Sequence, residues 1–132
     1  MTWLFDTTLS FAATDMLTLM ANFDYGSATD YVATATDATW WGIAAYARIQ
    51  AQPDWALAGR FEYIDDSEGG FMTIGEKAQS FTVTSDHTVM EDLITRFEFR
   101  LDKTESDMFA KDDGSFANTQ PSVTVGLVYQ MP

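Results

Sequence analysis

Between Asp92 and Asp102 the side chains fall into two sets at alternate positions. Leu93, Thr95, Phe97, Phe99 and Leu101 hold one set of positions, and Ile94, Arg96, Glu98, Arg100 and Asp102 hold the other. A strand sends successive side chains to opposite faces, so this segment reads as a strand with one greasy face and one charged face. Two environments accept such a strand. A soluble sheet buries the greasy face and wets the other, whereas a transmembrane barrel turns the greasy face to lipid and the charged face to a polar lumen.

The same period of two recurs along the chain, which places it in the all-β class. Thr2–Ala13 sets Trp3, Phe5, Leu9 and Phe11 against Asp6, Thr8 and Ser10. After a tight turn at Thr14-Asp15, Met16–Tyr25 sets Leu17, Leu19, Ala21, Phe23 and Tyr25 against Thr18, Asn22 and Asp24. Ala38–Ile49 follows, with Trp41 on the apolar side and Arg48 on the other; alanine blurs its pattern, and a helix is the competing reading there. Trp55–Ile64 alternates cleanly, with Trp55, Phe61 and Tyr63 opposite Arg60 and Glu62. Ala78–Ser85 is Thr-rich, the Asp92–Asp102 strand extends to Thr104, and Pro121–Gln130 closes the chain with Tyr129 on its apolar side.

That makes seven expected strands. Their connections run short, long, short, long, short, long: Thr14-Asp15, Gly26–Asp37, Gln50–Asp54, Asp65–Lys77, Asp86–Glu91 and Glu105–Thr119. Outer-membrane barrels join antiparallel up-and-down strands in this way, with tight periplasmic turns and longer extracellular loops. The strands also have the ~9–11 residues that a tilted transmembrane strand needs, against a usual ~5–6 in soluble sheets. Residues 1–132 are thus expected to form a single β-barrel domain or barrel segment. With short turns in the periplasm, the N-terminus lies outside and the C-terminus in the periplasm. Leu57–Tyr63 and Leu93–Phe99 echo one another, as hairpin arrays do.

Charge and composition exclude several functions. Seven basic residues against twenty acidic ones give a net charge of −13, which argues against nucleic acid as a partner. With 46% apolar and 14% aromatic residues the chain has the means to fold. There is no cysteine, hence no thiolate chemistry. No apolar run reaches the ~18–20 residues of a membrane helix, and no basic segment followed by an apolar one opens the chain, so an exported protein is expected here in mature or shortened form.

All four arginines, Arg48, Arg60, Arg96 and Arg100, fall on the polar face, while Lys77, Lys103 and Lys111 fall at strand ends or in loops. An Arg facing the bilayer midplane costs ~2–4 kcal/mol in barrels. Arg48, Arg60, Glu62, Arg96, Glu98, Arg100 and Asp102 are therefore the candidates for a lumen lattice. They either pair across strands to stabilise the wall or line a pore and set its charge preference. The opposite face carries the candidate lipid-facing aromatics Trp3, Phe5, Phe11, Phe23, Trp41, Trp55, Phe61, Tyr63, Phe97, Phe99 and Tyr129. Several of these lie near strand ends, where amphipathic rings suit the lipid–water boundary.

Arg60-x-Glu62-Tyr63 before Asp65-Asp66, Arg96-x-Glu98-x-Arg100-x-Asp102 before a loop with Phe109, Trp40-Trp41-Gly42…Tyr46-Ala47-Arg48, and the closing Gln120-x-x-Val-Thr-Val-Gly-Leu-Val-Tyr129 together resemble the C-terminal strands of the β-barrel porins of Gram-negative outer membranes. The resemblance covers roughly residues 38–130. It implies a passive outer-membrane channel without catalytic residues. Two features depart from it. Such porins end on an aromatic residue, whereas Tyr129 is followed by Gln-Met-Pro, and members are far longer, so the chain is expected to be a C-terminal piece.

A single-chain bacterial barrel has an even strand count. An open seven-stranded sheet in lipid leaves unpaired edge groups, each costing several kcal/mol. A strand within Ser27–Ala35, the rest of a longer chain, or further copies are the ways to complete it. Lipid and lipopolysaccharide are the expected surroundings, with divalent cations bridging acidic loops to lipopolysaccharide phosphates as one possible contact.

No catalytic, cofactor or metal site stands out. His87 is the sole histidine and is read as a turn residue; Asp65-Asp66-Ser67-Glu68-Gly69 and Asp112-Asp113-Gly114 do not follow the twelve-residue calcium loop. The alternative to a porin-like channel is a soluble acidic β-sandwich or lipocalin-like binding module.

Overall fold

A computed structural model of the chain describes residues 1–31, 36–69, 71 and 75–130. Seven long strands form one antiparallel sheet: β1 (Thr2–Ala12), β2 (Leu17–Tyr31), β3 (Thr36–Gln52), β4 (Trp55–Asp65), β5 (Lys77–Met90), β6 (Leu93–Thr104) and β9 (Thr119–Tyr129). Their spatial order is their chain order, so the sheet is an up-and-down meander. Two short strands, β7 (Phe109–Ala110) and β8 (Phe116–Ala117), pair separately within the last long connection. No helix occurs among the described residues, so the helical reading of Ala38–Ile49 does not hold. Successive β3 residues alternate in exposure along Ala38–Ala45, as a half-sheltered strand requires.

Local chemistry sets the turns. Thr14 Oγ1 accepts the N–H groups of Met16 at 3.2 Å and Leu17 at 3.0 Å, closing β1 onto β2. Pro53-Asp54 turns β3 into β4, where proline supplies a fixed φ and needs no donor. Within the β6–β9 connection, Gly114 has φ +81°, a left-handed conformation that a Cβ disfavours. It closes the β7–β8 hairpin through Gly114 N–H to Lys111 O at 3.0 Å. Asp113 accepts Ser115 N–H at 2.9 Å in the same turn, so Asp112-Asp113-Gly114 serves as turn chemistry.

Three sequence expectations need correction. Gly26–Asp37 is not a loop throughout: residues 26–31 continue β2 and 36–37 begin β3, while the expected extra strand falls partly on residues 32–35, outside the described residues. Backbone pairing overrides the polar composition, because Gly26, Ser27 and Ala28 face Trp40, Thr39 and Ala38 in register. Asp86–Glu91 is likewise mostly strand, with Asp86 opposite both Ala56 and Arg96. His87 is therefore a strand residue opposite Trp55, not a turn residue. Thirdly, Glu105–Thr119 contains the β7–β8 hairpin.

The burial pattern is the reverse of a soluble sheet. On the apolar face Leu9 is 73% exposed and Phe97 53%, with Phe11, Val123, Val125 and Leu127 also exposed. On the polar face Thr82 is 2% and Asp86 7% exposed, and Ala28, Ala38, Ala44, Ala56 and Ser80 are buried. The greater shelter of the polar side means that the sheet curls toward it, with polar and small side chains covering one another and the greasy side convex. Among the described residues no second large sheet covers either face, as a sandwich would require. β1 and β9 are the two edges, and the sheet is open between them.

Candidate functional site

Antiparallel register carries each polar-face residue into a row across the sheet. One row runs Tyr46, Arg60, Thr82, Arg100, Ser122; the next runs Ala44, Glu62, Ser80, Asp102, Gln120; a third runs Arg48, Ala58, Thr84, Glu98, Thr124. β5 carries small hydroxyl residues between the charged strands β4 and β6, so long side chains reach over it. Arg100 Nη1 lies 3.5 Å from Glu62 Oε2 across β5, and its Nε lies 2.8 Å from Asp102 Oδ1. Arg60 Nε lies 3.3 Å from the same Glu62 oxygen, and Ser80 Oγ donates to Glu62 at 3.2 Å. Glu98 accepts from Thr84 at 3.1 Å.

A second cluster centres on a residue that the sequence left in a connection. Asp86 accepts from Arg96 Nε at 2.7 Å and Nη2 at 2.9 Å, and from Arg48 Nη1 at 3.1 Å. The planar guanidinium fork matches both carboxylate oxygens. Arg48, Arg60, Glu62, Arg96, Glu98, Arg100 and Asp102 thus share one face, and Asp86 joins β3 to β6. The signal for Asp86 was its parity: Ser80, Thr82, Thr84 and Asp86 occupy alternate positions of one strand.

Two cavities open on this face. The larger has a volume of about 560 Å³; Asp24, Tyr46, Glu62 and Arg100 line it, and Met108 and Phe109 border it from the β6–β9 connection. The smaller, about 200 Å³, lies among Arg48, Arg60, Thr82, Asp86, Arg96 and Glu98. Thr82 Oγ1 is buried there with no hydrogen-bond partner among the described residues, and Arg60 Nε, though within ion-pair distance of Glu62, makes no hydrogen bond to them either. The space is polar and large enough for water, the ordinary partner of such groups.

Above the cavities the β4–β5 connection reaches the same face. Trp40, 7% exposed, stacks on Phe71 with centroids 6.1 Å apart. A Cβ on Gly26 would lie 2.1 Å from the Trp40 ring, so only glycine at this position lets the indole lie flat on β2. Phe71 N–H donates to Asp66 Oδ1 at 2.9 Å. Farther out, Glu76 accepts from the Ser106 hydroxyl and, at 3.1 Å, from its N–H, tying the β4–β5 connection to the start of the β6–β9 one. These bonds hold the Glu76 carboxyl below its ordinary value; the hydroxyl contact has the largest effect.

The convex face is ordered by polarity along the strands. Near the long connections Trp3 pairs with Tyr25 at 5.4 Å and Trp41 with Tyr63 at 5.3 Å. Near the short turns Trp55 stacks on His87 at 5.7 Å and donates from Nε1 to Ser85 at 3.0 Å. Between these aromatic rows lie Leu9, Phe11, Leu19, Phe61, Phe81, Val83, Phe97, Phe99 and Val123, with Phe5 and Phe23 nearer the long connections and Tyr129 nearer the short turns. Tyr63 and Trp55 are separated along β4 by about 26 Å at ~3.3 Å per residue. At a barrel tilt of ~35–45° that is roughly 20 Å along the normal, near the ~25 Å apolar band of outer-membrane barrels.

A convex apolar band between two aromatic rows, with a sheltered ion-paired face behind it, is the wall of a barrel. The model of the family Putative beta-barrel porin-2, OmpL-like, matches residues 1–131. The chain belongs to this family. The match includes β1 and β2, beyond the stretch of residues 38–130 on which the sequence resemblance rested. Comparison with curated proteins and with solved structures gave no match. In coarse terms the family assigns this porin-like chain a β-barrel role of the outer-membrane type, and porin-like families are in general not enzymes. Among the described residues no group of three or more His, Cys, Asp or Glu side chains is placed to hold a metal ion.

Proposed function

We propose that this chain forms wall strands of an outer-membrane porin-like channel that passes small polar solutes passively. The observation that carries the reading is the inverted sheet: Leu9, Phe11, Phe97 and Val123 are exposed while Thr82 and Asp86 are buried. In water such a convex patch is an aggregation liability. In lipid it is the required surface, and the sheltered Arg48–Asp86–Arg96 and Arg60–Glu62–Arg100–Asp102 lattice faces the aqueous lumen.

In this reading Trp3, Tyr25, Trp41 and Tyr63 sit at one lipid boundary and Trp55 and Tyr129 at the other. The β1 and β9 edges pair with further strands, from a longer chain or from other copies, because lipid leaves no solvent for their open N–H and C=O groups. The long connections lie outside against lipopolysaccharide, and the short turns and the C-terminus lie in the periplasm.

The test is refolding of the purified chain into detergent micelles, then conductance in a planar bilayer. Heat-modifiable migration on a gel with stepwise conductance is expected. A protein that stays monomeric and folded without detergent would overturn the reading.

A further inference from the structure

We infer that passage through the completed barrel prefers cations, and that Asp6 and Asp24 set this preference. The inference rests on the channel reading above and adds its solute class.

The sheltered face carries four guanidinium groups, and each has a carboxylate partner. Arg48 and Arg96 share Asp86; Arg60 and Arg100 share Glu62, and Arg100 also holds Asp102. Because Asp86 serves two arginines, these four guanidinium groups and three carboxylates leave one positive charge, which the further carboxylates of the face outweigh. Carboxylates are in excess on the same face: among the described residues Asp6, Asp24 and Glu98 have no Lys or Arg nitrogen within the 4.0 Å of an ion pair.

Asp6 and Asp24 stand directly opposite one another on β1 and β2. Asn22 Nδ2 donates to Asp6 Oδ1 at 3.1 Å, which orients that carboxylate without neutralising it. Asp24 lines the larger cavity, and its neighbour across the pair is Gly42. A Cβ on Gly42 would stand 3.9 Å from Asp24 Oδ2, so glycine leaves this side of the carboxylate open toward the cavity. At about 560 Å³ the space suits a hydrated metal cation or a small organic ammonium.

Both ends of the sheet add the same sign. In the β4–β5 and β6–β9 connections carboxylates outnumber Lys77, Lys103 and Lys111; the short turns carry Asp15, Asp54, Glu91 and Asp92 with no Lys or Arg. Low-dielectric walls focus such a field, raising cation concentration and lowering anion concentration at a pore mouth.

The deciding measurement is the reversal potential of the refolded chain in a planar bilayer under a potassium chloride gradient. A potassium-to-chloride permeability ratio of several-fold is expected. Asp24→Asn and the Asp6→Asn/Asp24→Asn pair should lower the ratio stepwise toward unity, whereas Asp24→Glu, which keeps the charge, should retain it. Heat-modifiable migration identifies the variants that fold. A chloride preference, or a ratio unmoved in folded Asp24→Asn, overturns the inference and leaves the channel reading standing. Absence of any conductance overturns the channel reading, and the inference falls with it.

Discussion

Asp86 grips Arg96 with both carboxylate oxygens, Nε to Oδ1 at 2.7 Å and Nη2 to Oδ2 at 2.9 Å. The Asp86 side chain is 9% exposed and that of Arg96 44%, so the acid is sheltered and its partner half solvated. This pair, with Arg48 on the second flank, ties β5 to β6 and, across β4, to β3.

Asp86→Ala leaves two guanidinium groups without their shared acceptor. Charge-assisted bonds contribute ~1.5–3 kcal/mol, and solvent screening of the half-exposed arginines reduces this to roughly 1–2 kcal/mol. The loss is expected in denaturant unfolding from detergent micelles. Arg96→Ala should cost more than Arg48→Ala, because Arg48 makes one bond to Asp86 where Arg96 makes two.

Phe99→Arg places a cation in the middle of the convex band, where barrels in lipid lose ~2–4 kcal/mol. Thr124→Arg puts the same cation opposite Glu98 on the sheltered face, and there little loss is expected. The difference between the two variants in folding into lipid vesicles is the readout. Equal, small effects would mark the convex face as wetted by water.

Gly26→Ala drives a methyl into the Trp40 ring, which must move. Overpacking of this kind costs ~1–3 kcal/mol. The displaced indole also loses its stack on Phe71. The near-ultraviolet circular dichroism of the tryptophans should change, and in a Trp40→Ala background, which is itself less stable, Gly26→Ala should cost little further.

The Glu76–Ser106 contact carries a pH dependence. Its carboxyl is depressed in the folded chain by the Ser106 hydroxyl and N–H. A depressed carboxyl contributes stability that is fully present above the unfolded value, ~4.3 for glutamate, and is lost as pH falls through the folded value. The two long connections should stay tied at neutral pH and separate on acidification below the ordinary glutamate range. Hydrogen exchange at the Ser106 amide, corrected for its intrinsic rate, reports this. In Glu76→Gln the extra acid sensitivity should disappear.

Strand positions were legible wherever side chains alternate sharply. Trp55–Asp65 and Leu93–Thr104 lie within one residue of their expected bounds, because period two on a chain this apolar leaves no other way to separate its faces. The legible part fails where local polarity opposes long-range pairing. Residues 26–31 look like a loop because Gly, Ser, Thr and Asp favour turns, yet they lie in β2, where β3 and, at Gly26, Ser27 and Ala28, also β1 supply ladder partners. Asp86 and His87 look like a connection for the same reason, and pairing on both sides holds them in β5.

By itself the sequence determined the two faces, since which residues share a face follows from parity along each strand. It determined that all four arginines fall together and away from the aromatic face. Only the tertiary structure decided which acid serves which arginine, because that depends on register between strands far apart in the chain: Glu62 meets Arg100 across β5, and Asp86 stands between Arg48 and Arg96. It also decided that the polar face is the sheltered one, for sheet curvature arises from the summed twist of seven paired strands and is written in no single segment.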